Sequence, residues 1–498
     1  MYTINTLDKN PKTTIILGVL LAILIHLSTL TNAFSQSKAE KIDALMKQYS
    51  EYGQFNGSVL VSENGKIIHK AGYGLANMEW DIPNQSDTKH RLGSITKQFT
   101  SMLIMQLVEQ GKVKLEEHVT TYLPNYPKKN GDKITIHHLL IHSSGIPNYT
   151  AIPNFMKDKS RNSYTPEEFL SVFADLPLDF KPGKEYSYSN SGYFLLGVII
   201  EKVTGKSYEE NLKKYIFTPL NMVNSGYDHY SSIIKNRSSG YEKNGNTSYE
   251  NARYLDMSVP FAAGSIYSTV EDLFLWDQSL YTDSILSTKY RELMFTPYMP
   301  TFRGSYGYGW IIMEAPLGYK NNNLKIYSHS GGINGYNSLI TRFSTDNSMV
   351  VLLNNTGRAA LEEITLAITA ILYDRPYAMP KQSLANALIA TYMEKGLEPA
   401  LDQFRALKNS DEYAVKENEM NNIGYQLLNL GQVKGAIEVF KLNVETFPES
   451  GNTYDSLGEA YLIAGDNEKA LINYKKSVEL DPQNINGARI IQKLESGK

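Results

Sequence analysis

The sequence predicts an antiparallel α+β domain followed by an all-α array of repeats. Strand patterns near Gly57 and again near Met349 bracket a long middle rich in apolar helices, which is the order of a sheet with helices packed on it. The last part of the chain repeats itself at a fixed interval of 34 residues. Composition allows this: of 498 residues, 42% are hydrophobic and 20% charged, so wholesale disorder and a polytopic membrane protein are both excluded. The 49 Lys and Arg nearly balance 52 Asp and Glu, and no basic run occurs, which excludes a nucleic-acid partner. There is no cysteine, so disulfides, thiolate metal sites and a cysteine nucleophile are excluded as well.

Residues 1–35 are expected to be an address. Lys9 and Lys12 precede an uncharged, mostly apolar stretch from Thr13 to about Leu30, followed by the small or polar run Thr31-Asn32-Ala33. That is the order of a secretory signal peptide, and an uncleaved N-terminal membrane anchor has almost the same form. Either way the rest is expected to be exported to the periplasm or the extracellular side.

The expected domain of residues 36–378 opens with a β-hairpin, Gly57 to Val61 and Lys66 to His69, joined by a turn at Asn64-Gly65. Helices follow at Ile95 to Val108, Phe194 to Val203 and Val270 to Leu280, separated by long loops. Strands return at Leu324 to Tyr327, Tyr336 to Arg342 and Met349 to Leu353, and a helix runs from Ala359 to Tyr373. Pro376 and Pro380 then mark a break.

Residues 379–498 have a different texture. Gly424 and Gly458, Ala436 and Ala470, Phe440 and Tyr474, and Pro448 and Pro482 are pairs at the same interval of 34. Ala400 and Phe404 resemble a degraded earlier copy, and Asn486 to Leu494 a final capping helix. The interval is similar to that of tetratricopeptide repeats, with small residues allowing close helix approach and aromatics filling the groove. Met420 and Tyr454 stand where that family commonly has Trp, and generic helical hairpins are the alternative. Such repeats offer a surface for a protein partner.

A serine hydroxyl needs a nearby base and donors for an oxyanion before it can act as a nucleophile. Ser-x-x-Lys puts both side chains on one helix face, but the spacing occurs at Ser35/Lys38, Ser86/Lys89, Ser94/Lys97 and Ser232/Lys235. Context selects Ser94. It opens a helix that is apolar nearly all round, and Lys97 is the only charge between Arg91 and Glu109, so desolvation should lower its pKa. The alternative is that Ser94 caps the helix and Lys97 reaches out to water.

Two further constellations accompany it. Tyr188 and Asn190 sit on a loop leading into the apolar helix from Phe194. His329-Ser330-Gly331-Gly332 lies between two strands, where clustered glycines let a backbone approach a ligand, with a plain tight turn as the alternative. His138 and His142 are one turn apart, yet no HExxH glutamate accompanies them, and a structural helix end is preferred to a metal site. With no phosphate loop or dinucleotide fingerprint, no metal or cofactor is implied.

Ser94-Ile95-Thr96-Lys97, Tyr188-Ser189-Asn190 and His329-Ser330-Gly331, in that order, resemble the three motifs of the penicillin-recognising serine hydrolases, and most of all the class C β-lactamase-related family. Leu139 to Pro147, Tyr186 to Gly197 and Ala263 to Thr269 support the likeness, which covers roughly Ile42 to Tyr373. The resemblance implies a β-lactamase/transpeptidase-like antiparallel sheet with helices. It implies an acyl-enzyme on Ser94, with Lys97 and Tyr188 moving the proton. Asn190, His329, Ser330, Gly331 and Gly332 would contact or orient substrate, and the N–H groups of Ser94 and Gly332 would form the oxyanion hole. His329 replaces the family's lysine, which favours an esterase or peptidase over an efficient β-lactamase. The alternative is a non-hydrolytic, penicillin-binding-like sensor whose repeats engage a partner. Loops Ile152 to Thr165 and Ser231 to Glu250 are expected to shape the pocket.

Overall fold

The computed structural model describes residues 36–244, 248–315, 323–357 and 359–496. The expected export segment, residues 1–35, lies outside the described residues. Among the described residues no helix is long and apolar enough to cross a membrane.

Eight strands form one sheet: β1 (Gly57–Glu63), β2 (Lys66–Tyr73), β3 (Met299–Thr301), β4 (Gly304–Tyr306), β5 (Ile311–Ala315), β6 (Leu324–Ile333), β7 (Tyr336–Phe343) and β8 (Ser348–Asn354). Their spatial order is β3-β4-β5-β6-β7-β8-β1-β2, and every pairing is antiparallel. The first strand of the chain thus lies beside the last, with Gly57 opposite Asn354. Both faces are covered, which explains why β8 reads as an unbroken apolar run and is buried along its whole length.

On one face Leu60, Ile340 and Val351 meet α2 (Thr96–Glu109), α3 (Asn190–Thr204) and α4 (Val270–Ser279). On the other, Val59, Val61 and Leu352 meet α1 (Lys38–Glu51) and α5 (Leu361–Leu372) through Ile42, Leu45, Ile364 and Ile368. Alternate residues of one strand therefore feed two different cores. Helix α1 was legible but unread: Ser37 and Glu40 form a capping box at its start.

Two local expectations change. The short strands β3 to β5 carry weak patterns, broken by Pro300 and Gly304. The segment His329 to Gly332 is neither a loop between strands nor a tight turn but the second half of a continuous ten-residue strand, β6, which turns only at Asn334-Gly335. Its pairing with β5 ends at Ser328, so from His329 to Ile333 it pairs with β7 alone among the described strands. The open edge faces the turn before α2.

Seven helices follow: α6 (Leu384–Lys395), α7 (Leu397–Leu407), α8 (Glu417–Asn429), α9 (Val433–Thr446), α10 (Gly451–Ile463), α11 (Asn467–Leu480) and α12 (Ile485–Glu495). They share a separate apolar core that includes Ala400, Phe404, Met420 and Phe440. A Cβ on Gly424 would stand 2.3 Å from the Phe440 ring, and one on Gly458 would stand 3.1 Å from Tyr474. The interval of 34 is thus the spacing of one recurring glycine-to-ring contact. Gln48 Nε2 donates to Pro380 O at 2.9 Å, and Lys416 pairs with Glu363 at 2.9 Å, tying the two parts together.

Candidate active site

Ser94 sits in a short 3-10 turn, Gly93–Ile95, that runs directly into α2. This turn and the open edge of β6 touch backbone to backbone. Gly93 has φ of +54°, and a Cβ there would lie 2.8 Å from Gly332 N. A Cβ on Gly331 would lie 1.9 Å from Leu92 O. Only glycine permits that approach, which brings the amide of Gly332 beside the serine turn.

Lys97, one turn along α2, is fully buried and does not reach water. Its Nζ lies 3.1 Å from Ser94 Oγ, 2.8 Å from Asn190 Oδ1 and 2.9 Å from Ala263 O. The Tyr188 and Tyr193 rings lie over it, with centroids at 4.8 and 5.5 Å. None of these neighbours is a carboxylate. Burial without a counter-ion drives the amine well below its usual value. A neutral amine has two N–H groups and one lone pair. With the N–H groups given to Asn190 and Ala263, the lone pair is left for the Ser94 hydroxyl proton.

Ser94 does not cap the helix, because its hydroxyl is turned to Lys97 and to the Tyr188 phenol. Tyr188 precedes Ser189, whose side chain caps α3. Burial pushes the Tyr188 phenol well above its usual range, and the Ser94 hydrogen bond only partly opposes this. It is therefore a protonated phenol at neutral pH. Asn190 opens α3, and its backbone N–H and side-chain amide both donate to Asn148 Oδ1, at 3.2 and 3.3 Å. That fixes the amide with its oxygen toward Lys97.

His329, expected to contact substrate, is buried with both ring nitrogens hydrogen-bonded. Nδ1 lies 2.7 Å from Ser330 O and must donate to that carbonyl, so Nε2 accepts from Tyr306 O–H at 2.9 Å. Burial, then the nearby Lys97, lower its pKa to about 3, so it is neutral. It packs behind Tyr188, at 6.2 Å between ring centroids. Ser330 is exposed on β6, Gly331 is buried against Leu92, and Gly332 is exposed to the cleft.

His142 belongs to the same aromatic shell, 4.2 Å from the Tyr188 ring, and its Nδ1 accepts from Ser189 N. His137 lies near Tyr308, and His138 folds back on Thr135. Among the described residues no group of His, Cys, Asp or Glu has metal-binding geometry.

The cleft over Ser94 encloses about 120 Å³. Tyr149, Met156, Leu255, Val259 and Ile333 give it apolar walls, with Asn190 and Asn334 as polar points, and no lining side chain is charged. Met156 comes from the loop expected to shape the pocket, whereas no described residue of Ser231 to Glu250 lines it. Sequence reasoning missed Ala263, Asn148 and Tyr306 as supporting groups. The first two stand within or beside the supporting segments, but nothing marks Tyr306.

The Beta-lactamase family model matches residues 41–372, and a Tetratricopeptide repeat model matches residues 451–484. A penicillin-binding protein of Bacillus subtilis (strain 168) is 31% identical over 386 residues, which span 72% of this chain and 83% of that protein. The octameric penicillin-binding protein homologue from Pyrococcus abyssi superposes with a TM-score of 0.59 at 31% identity, covering 67% of this chain and 77% of that one. The D-amino acid amidase from Ochrobactrum anthropi SV3 does so with a TM-score of 0.57 at 26% identity, covering 67% and 97%.

Proposed function

This chain belongs to the beta-lactamase family of serine hydrolases, and from that membership we propose that it cleaves an uncharged ester or amide through an acyl-enzyme on Ser94. The observation that carries the reading is the buried Lys97 amine, 3.1 Å from Ser94 Oγ and without a carboxylate partner. As Oγ attacks the acyl carbon, its proton passes to the Lys97 lone pair. The N–H groups of Ser94 and Gly332 receive the oxyanion. Tyr188 relays a proton to the departing oxygen or nitrogen, and Lys97 restores it. Water then attacks the acyl carbon, gives its proton to the same pair, and returns Oγ to its starting state. Asn190 orients the amine, and His329 acts from behind as a neutral support for Tyr188.

The preference for an uncharged substrate rests on the same geometry. A substrate carboxylate would find no fixed cation among the cleft residues, because the third motif supplies an imidazole whose nitrogens are already engaged. The likeness to a D-amino acid amidase supports an amide as the bond cleaved. Export is part of the proposal, supported by the apolar stretch at Thr13 to Leu30. A division at residues 378/379 is supported by the separate apolar cores, and the repeats are proposed to hold a protein partner.

The test is covalent. A fluorophosphonate should add to Ser94, read by mass spectrometry of the full chain, and Ser94→Ala should abolish aryl-ester turnover. An adduct elsewhere, or turnover that survives the substitution, would overturn the reading. A stable adduct with no turnover on any ester, amide or cephalosporin would replace the hydrolase with a sensor.

A further inference from the structure

Beside the cleft lies a second, larger and open pocket, of about 500 Å³. The two share a wall, the segment Tyr254 to Ala263, whose residues divide between them. Leu255, Val259 and Ala263 line the Ser94 cleft. Tyr254, Asp256, Ser258 and Phe261 line the second cavity.

Its walls are aromatic and carry three carboxylates, one of them paired with a histidine. Tyr208, Tyr227, Tyr230, Tyr254 and His229 converge from three elements. Tyr230 and Tyr254 lie 4.7 Å apart at 87°, Tyr208 and Tyr227 6.3 Å apart at 77°, and Tyr227 and His229 4.6 Å apart at 37°. Tyr230 is exposed, so its ring keeps surface free for a cation. Three carboxylates, Glu201, Glu209 and Asp256, line the same space, and among the described residues no Lys or Arg does. Their bonds are local. Glu209 meets His229 Nε2 at 2.8 Å, Glu201 accepts from Tyr208 N at 2.7 Å, and Asp256 accepts from Tyr254 and Ser258. Burial pushes the Glu201 carboxyl up, the sign of an acid that lacks a counter-ion. An anion is repelled from such a space, a neutral apolar molecule leaves the acids uncompensated, and an organic cation satisfies both rings and carboxylates.

We propose that this cavity is a binding site for a small organic cation, a ligand carrying a primary or quaternary ammonium group, separate from the Ser94 cleft. The site stands on its own rings and acids and needs no assumption about catalysis at Ser94.

Choline is the probe, and 3,3-dimethylbutanol, of the same shape without the charge, is its control. Titrated into the full chain with tyrosine fluorescence and calorimetry as readouts, choline should bind saturably and the alcohol at least about tenfold more weakly. Tyr230→Ala and Glu201→Gln should each weaken choline by about three- to tenfold. Tyr230 is 65% exposed, so its removal leaves the fold intact even if the Glu201 variant proves unstable. Choline binding should be unchanged in Ser94→Ala, which separates this site from the cleft. Equal binding of choline and the alcohol, no saturable binding of choline, or choline binding unaffected by Tyr230→Ala would overturn the proposal.

Discussion

Two cations lie fully buried on one side of the sheet, and their surroundings send them in opposite directions. Arg342, on β7, has Asp277 of α4 at 2.5 Å from its Nε. Four rings surround its guanidinium, those of Tyr281, Phe295, Trp310 and Tyr327, with centroids at 4.7, 5.2, 5.6 and 5.8 Å. Burial opposes its charge, but Asp277 and the neighbouring tyrosines outweigh burial and leave its pKa raised. Lys97 also has rings over it and good acceptors, yet no acid among the described residues bonds it, and burial wins. Aromatic faces alone do not hold a buried proton on an amine. The guanidinium is intrinsically the stronger base and has a carboxylate besides, so it stays a fixed ion, whereas the unpaired amine becomes a base.

That contrast can be broken most severely at Lys97. Lys97→Ala should lower kcat for an aryl ester by about 10²–10⁴-fold per folded molecule, a loss beyond any stability cost of the cavity it leaves. Steady-state kinetics beside chemical denaturation would check it. At the other cation the expected loss is in stability. Arg342→Met strands the Asp277 carboxylate among rings and should cost about 3–5 kcal/mol, read from urea unfolding, with turnover per folded molecule retained.

The two environments can also be made alike. Asn190→Asp sets a carboxylate where an amide oxygen now lies 2.8 Å from Lys97 Nζ. Lys97 should then keep its proton as Arg342 does. Under the proposed mechanism the reactive form is the deprotonated amine, so the rising limb of the pH–rate profile should move upward. Activity near neutral pH should fall by about 10–100-fold and recover in part in alkali. A uniform loss at every pH would mean that Asn190 serves only as a scaffold. The smallest effect belongs to Tyr306→Phe, which removes the donor to His329 Nε2. It should lower kcat by only a few fold, about the worth of one neutral hydrogen bond. The pH profile should hold its shape, because His329 stays neutral through the working range.

How far these features were legible depended on whether their signal was local. Ser94 and Lys97 share one helix face, so spacing and the apolar run around them sufficed. The contact between Gly424 and Phe440 was legible because it recurs as Gly458 and Tyr474. Strand β8 announced itself as a continuous apolar run. The pairing of Arg342 with Asp277 joins positions with no common pattern, and neither residue stands out in the string. The surroundings of His329 were illegible for the same reason. What occupies its ring is Tyr306 on the short strand β4, and a three-residue strand carries almost no periodic signal. That β6 continues through three consecutive small residues, Ser330, Gly331 and Gly332, was hidden because glycine argues against strand wherever a close backbone approach is not yet known.

Placing β1 beside β8 has a consequence in time. Contacts between such distant stretches form slowly, and on the ribosome the N-terminal partner emerges first. The helix bearing the serine is therefore made long before the strand that supplies Gly332, and the sheet cannot close around either until Asn354 has left the exit tunnel. A nascent chain therefore carries Ser94 and Lys97 before the strand that completes their surroundings has been made.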